Sequence, residues 1–153
     1  MAAPTDRDRG IGRAWVAMWL ALALHVTDEA LSGFLTIYNP TVLALRHRLG
    51  FWPMPTFTFR VWLGGLIAGI VLLVVLTPWA VQGSRWIRPL LYFCAIVTGA
   101  LNALGHIAAT IAGQTVSSVT FPRPAPGFWS SWPLLAASAY AIVQLRRTGQ
   151  DQS

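Results

Sequence analysis

Three side chains within one apolar stretch have types and spacing suited to chemistry: His25, Asp28 and Glu29. They stand at i, i+3 and i+4, so a helix carries all three on one face. A carboxylate at the centre of an inserting helix costs about 2.5–3.5 kcal/mol. Two acids and a histidine in one such segment must therefore face protein or water, not lipid. Asn102 and His106 form a second group further along, at i and i+4 in another apolar stretch. Thr27, between the acids, can satisfy its hydroxyl on its own helix backbone.

Several chemistries fit these five residues. His25, Asp28, Glu29 and His106 offer two imidazoles and two carboxylates, a ligand set for Zn, Mn or Fe, with Asn102 as a weak ligand or a partner to one. Without a metal, a buried carboxyl can hold a proton and an imidazole can act as base or orient the acid. That would suit isomerisation or cyclisation of a lipophilic small molecule. Intramembrane Asp, Glu and His also form proton relays in transporters. The plainest alternative is a polar cluster that only joins helices. Such bonds average about 0.6 kcal/mol, well below the insertion cost of two acids.

The chain that must position these groups has 153 residues, 55% hydrophobic and only 10% charged. Its mean hydropathy is +0.55. Soluble domains carry about 25% charged residues, so the composition excludes a disordered chain and an ordinary soluble enzyme. A membrane helix needs about 20 mostly apolar residues. Four segments qualify, at about 14–38, 61–81, 89–112 and 128–145. The expected fold is all-α, a polytopic membrane four-helix bundle. Residues 1–13 form an amino-terminal tail, 14–146 the membrane domain and 147–153 a carboxyl-terminal tail. Trp15, Trp19, Trp62, Trp79, Trp86, Trp129 and Trp132 lie near the expected ends, as headgroup-level aromatics do. Pro89 and Pro133 fall near helix starts, where a missing N–H is tolerated. Ala21-Leu22-Ala23 raises a rival reading as a signal-peptide cleavage site. The apolar run resuming over Ala30–Tyr38 favours a retained span.

All eleven basic residues are Arg, and they set the orientation. Arg7, Arg9, Arg13, Arg85, Arg88, Arg146 and Arg147 fall on one side of a four-span chain. Arg46, Arg48, Arg60 and Arg123 fall on the other. The positive-inside rule puts both termini in the cytoplasm of a multi-pass cell-membrane protein. Clusters of at most two adjacent Arg flanking apolar runs argue against nucleic acid as a partner. The expected partners are the lipid bilayer, a lipophilic small molecule and a second copy of the chain; Gly65 and Gly69 permit close helix packing, within the chain or in a dimer. Cys94, the single cysteine, can form no intrachain disulfide and reads as a small buried hydrophobe. His47, between Arg46 and Arg48, reads as a solvated loop residue. The Asn39–Arg60 connection contains one amphipathic stretch and then the Pro-broken PMPTFTF. Gly113–Gly127, ending in FPRPAPG, reads as a loop.

With four spans, the first and third run in the same direction. His25–Glu29 lie about 11–15 residues into one, and Asn102–His106 about 13–17 residues into the other, with a rise of about 1.5 Å per residue. The two groups therefore share a depth and would meet if those helices are neighbours.

The order of these motifs resembles the HXXEE family of small integral membrane proteins. Its marks are H-x-x-E-E in the first span, a later N-x-x-x-H, and Y-x-P-G near the last span. Here they read His25-Val26-Thr27-Asp28-Glu29, Asn102-Ala103-Leu104-Gly105-His106, and Pro124-Ala125-Pro126-Gly127. Asp28 replaces a Glu, which keeps the carboxylate and shortens its reach by one methylene. The tyrosine of the third motif is absent. The resemblance implies an integral membrane fold and a role for the motif residues, but no particular substrate.

Overall fold

The computed structural model describes residues 5–116 and 118–149. It is mostly helical: α1 (Asp6–Leu31), α2 (Leu35–Leu49), α3 (Phe59–Val75), α4 (Thr77–Val81), α5 (Ile87–Phe93), α6 (Asn102–Ala112) and α7 (Phe128–Gly149). A π-helical segment, Cys94–Leu101, joins α5 to α6, so Ile87–Ala112 runs as one rod. Two helices, Asp8–Leu31 and Ile87–Ala112, are long and apolar enough to cross a membrane; α3 is apolar but shorter, at 17 residues.

α1 begins at a capping box, in which Thr5 and Asp8 satisfy each other's backbone N–H groups. The helix ends at Leu31, not at Tyr38 as the apolar run suggested. Gly33 adopts φ +75°, which glycine reaches without the Cβ penalty, and the chain turns there into α2. The apolar residues after the turn thus belong to a second helix. The second apolar segment is also divided, at Leu76. Pro78 follows the break and has no N–H with which to continue the α3 ladder.

α1 is the centre of the bundle, packing on α7, α3, α4 and the π segment. Ile11, Ala14, Trp15 and Met18 of α1 are buried with Ile87, Leu91 and Ala95 of the rod and Leu134 and Ala141 of α7. Small residues set the closest approach. A Cβ on Gly99 would collide with the Ser138 hydroxyl and stand 2.7 Å from the end of Met18. The Trp15 indole N–H donates to the Leu73 carbonyl at 2.9 Å, tying the start of α1 to the end of α3.

Not all the tryptophans form a belt. Trp15 and Trp62 are buried and belong to the packing, whereas Trp79, Trp86, Trp129 and Trp132 are exposed. The outward face of α3 carries exposed Ile67, Val71, Leu72 and Val75. A Cβ added at Gly65 or Gly69 would meet nothing within 4 Å, so this glycine pair serves no packing among the described residues. Pro133 stands in the second turn of α7 instead of the first.

A cover lies over the end of the bundle that holds the polar residues. It consists of α2, the extended residues 51–58 and a two-stranded antiparallel ribbon, β1 (Gln114–Val116) with β2 (Val119–Thr120). The Asn39 side chain both donates to the Phe57 carbonyl, at 2.9 Å, and accepts from its N–H, at 3.0 Å. Tyr38 donates to the Pro55 carbonyl, and Arg46 to those of Trp52 and Met54.

Candidate functional site

The cluster assembles where α1, the rod and the start of α7 meet. His25 and Glu29, one turn apart on α1, face His106 of α6. The Glu29 Oε1 atom lies 3.0 Å from His106 Nε2 and 3.6 Å from His25 Nε2. The rings of the two histidines pack edge to face, centroids 4.8 Å apart. His25 is 0% exposed, Glu29 5% and His106 7%. One ligand atom from each residue can be chosen so that all lie within 4.8 Å of one another.

Each imidazole is held from behind through Nδ1. His106 Nδ1 bonds the Pro126 carbonyl. A carbonyl only accepts, so this nitrogen carries a proton and Nε2 is the atom turned to Glu29. His25 Nδ1 lies 2.9 Å from the Ser130 hydroxyl, which in turn donates to Asp28 Oδ2 at 2.7 Å. The hydroxyl also reaches the Gly127 carbonyl, at 3.1 Å; with its proton on either oxygen, it accepts from His25 Nδ1–H. His25 Nε2, likewise aimed at Glu29, is buried with no hydrogen-bond partner.

Asp28 is therefore not a second acid of the cluster, which corrects the single-face reading. Residues three and four apart from His25 diverge by about 100° around the helix, enough to send Asp28 towards α7 while Glu29 meets His106. Asp28 Oδ2 also accepts from the Ser130 backbone N–H at 3.1 Å. Ser130 is the third residue of α7, where backbone donors lack partners inside the helix and a negative charge is favoured. Asp28 is a cap supplied by another helix. Asn102 stands one turn before His106 and lines the adjacent cavity; it makes no side-chain hydrogen bond to His25, Glu29 or His106.

Gly127 is what allows the close fit. It has φ +79°, and a Cβ there would lie 2.8 Å from His106 Nδ1 and 3.1 Å from His25 Cε1. Its carbonyl accepts from the hydroxyl and backbone N–H of Ser131. The Pro126-Gly127 pair thus supplies a carbonyl and an absent side chain, both against histidine. Ser130 and Phe34 were not readable as site residues. Ser130 looks like any small residue near a helix start. Phe34 sits 5.5 Å, centroid to centroid, from the His106 ring and 5.8 Å from Trp62.

Beside His106 lies a half-open cavity of about 250 Å³, lined mainly by apolar groups. Phe34, Ile37 and Tyr38 line it from α2 and its N-terminal side, Leu101, Gly105 and Ala109 from the rod, and Phe121 from the loop before α7. Its polar lining includes Asn102, His106 and Thr41, whose buried Oγ1 lacks a partner. Cys94 is buried and is not part of this group. Comparison of the chain with family models, curated proteins and solved structures finds no match.

Proposed function

We propose that this chain is a four-span protein of the cell membrane, of the HXXEE type, with both termini cytoplasmic, and that it is an enzyme. Its His/carboxylate centre acts, by acid–base or metal-assisted chemistry, on a lipophilic small molecule. The observation that carries this reading is the convergence of His25, Glu29 and His106, the last of which also lines an apolar cavity. Burying a carboxylate is costly because it removes charge from water, and groups held at such cost cluster at functional sites.

The residues divide the work. Glu29 and His106, 3.0 Å apart, can exchange a proton between Oε1 and Nε2. Pro126 holds His106, and the Asp28–Ser130 pair holds His25, so neither ring has to turn during a cycle. The aromatic and aliphatic walls accept the apolar body of a substrate and exclude water. Asn102 and Thr41 are placed to bond a polar group on it. Isomerisation or cyclisation, which needs only proton addition and removal, fits this set.

The test uses the full chain in lipid nanodiscs, incubated with an extract of membrane lipids and lipophilic metabolites and followed by mass spectrometry. Wild type should convert at least one species into a product of equal mass, and Glu29→Gln should not. If no species changes while the protein is folded, the enzyme reading fails. Acid-driven proton uptake into vesicles, abolished by the same variant, would favour transport instead.

A further inference from the structure

We infer that His25, Glu29 and His106 bind one divalent transition-metal ion, through the two Nε2 atoms and a Glu29 carboxylate oxygen. The inference rests on reading this group as the chemical centre. Pro126 and Ser130 each occupy an Nδ1–H, so a neutral His25 and a neutral His106 both turn an Nε2 lone pair to Glu29. An ionised Glu29 is also an acceptor. Three acceptors thus face one another in a buried space with no donor among them.

A single proton on His106 Nε2 or on Glu29 would settle the 3.0 Å pair. It would leave His25 Nε2 buried and unpartnered. A buried polar atom without a partner is rare because its desolvation goes uncompensated. A cation serves all three atoms at once. Ligands of a tetrahedral ion, with bonds of about 2.0–2.1 Å, stand about 3.3 Å apart. The two carboxylate–imidazole separations, 3.0 and 3.6 Å, bracket that value, and the three ligand atoms lie within 4.8 Å of one another, so the two imidazoles draw closer together to share the ion.

The surroundings are close to those of metal-bound histidines, which pass their other ring N–H to a carboxylate, a backbone carbonyl or water. Here the carbonyl is that of Pro126, and the carboxylate is Asp28, acting through Ser130. Two imidazoles and one carboxylate suit Zn²⁺ or Fe²⁺ and leave coordination positions open. The cavity reaches the group at His106.

The experiment measures metal directly, on the full chain in nanodiscs and purified without a histidine tag. Elemental analysis should find about one Zn or Fe per chain. It should fall to background in His25→Ala and His106→Ala, and stay unchanged in His47→Ala, whose imidazole is exposed. Co²⁺ added to metal-free wild type should give a visible absorption band that Zn²⁺ displaces. Ser130→Ala keeps all three ligands and should bind Co²⁺ about tenfold more weakly or worse; it also serves if a histidine variant fails to fold. Wild type that carries no metal and shows no Co²⁺ band at millimolar concentration would overturn the proposal. So would metal retained in a folded His106→Ala. Metal without turnover would leave the ion in place and defeat only the enzyme reading, whereas turnover without metal would do the reverse.

Discussion

Substituting Gly127 tests the packing of the centre without removing any of its polar groups. Gly127→Ala adds one methyl and meets two separate costs. The first is conformational: φ +79° lies in the left-handed region, where a Cβ costs about 1–2 kcal/mol. The second is steric: the methyl would sit 2.8 Å from His106 Nδ1 and 2.9 Å from its Cε1. Relieving such overpacking typically costs about 1–3 kcal/mol. Gly50 isolates the first cost. It has φ +72° and nothing within 4 Å of the added carbon. Gly50→Ala should therefore lose about 1–2 kcal/mol, and Gly127→Ala about 2–5 kcal/mol. The assay is reversible unfolding of detergent-solubilised protein by a denaturing detergent, followed by tryptophan fluorescence. Equal losses for the two variants, within about 0.5 kcal/mol, would refute the claim that Gly127 is pressed against the histidines.

Other outcomes follow from the same contacts. Asn39→Ala removes two hydrogen bonds to Phe57 and should cost about 1–3 kcal/mol in the same unfolding assay; a loss below about 0.5 kcal/mol would mean the cover is not held there. Gly99→Ala should destabilise by about 1–3 kcal/mol, and adding Ser138→Ala should restore part of the loss, because the new methyl points at the Ser138 hydroxyl. Additive losses would contradict that contact. For the topology, cysteines introduced at exposed Thr58 and Gln82 should differ towards a membrane-impermeant maleimide added to intact cells. Thr58→Cys should label and Gln82→Cys should not, with buried Cys94 silent in both; labelling of both would break the four-span arrangement.

The spacing of His25 and Glu29, and the matching depth of His106, were enough to single out three residues that the structure brings together. Helical periodicity is local, and equal depth along two parallel rods needs only counting. What the sequence could not convey lies in contacts across the fold. Ser130 is 105 residues from His25, and no periodic pattern marks a serine that will stand behind an imidazole. The π segment, Cys94–Leu101, changes the rotation at which Asn102 and His106 leave the preceding helix, yet nothing in its sequence, CAIVTGAL, marks a π turn. Gly33 offered no warning either, since hydropathy continues across it and only the backbone turns. The same limit applies to Asp28. Spacing put it on the His25 face, and the partner that draws it aside is a backbone N–H on another helix.

The Asp28–Ser130 cap also has a meaning in time. His25, Asp28 and Glu29 leave the ribosome early, and His106 much later. The carbonyl of Pro126, the bare Cα of Gly127 and the N–H of Ser130 come last. Until α7 is in place, Asp28 has neither of its donors and both imidazoles lack their supports. The centre is therefore completed only when α7 closes on α1. A nascent chain halted before residue 126 would carry the residues of the site without possessing the site.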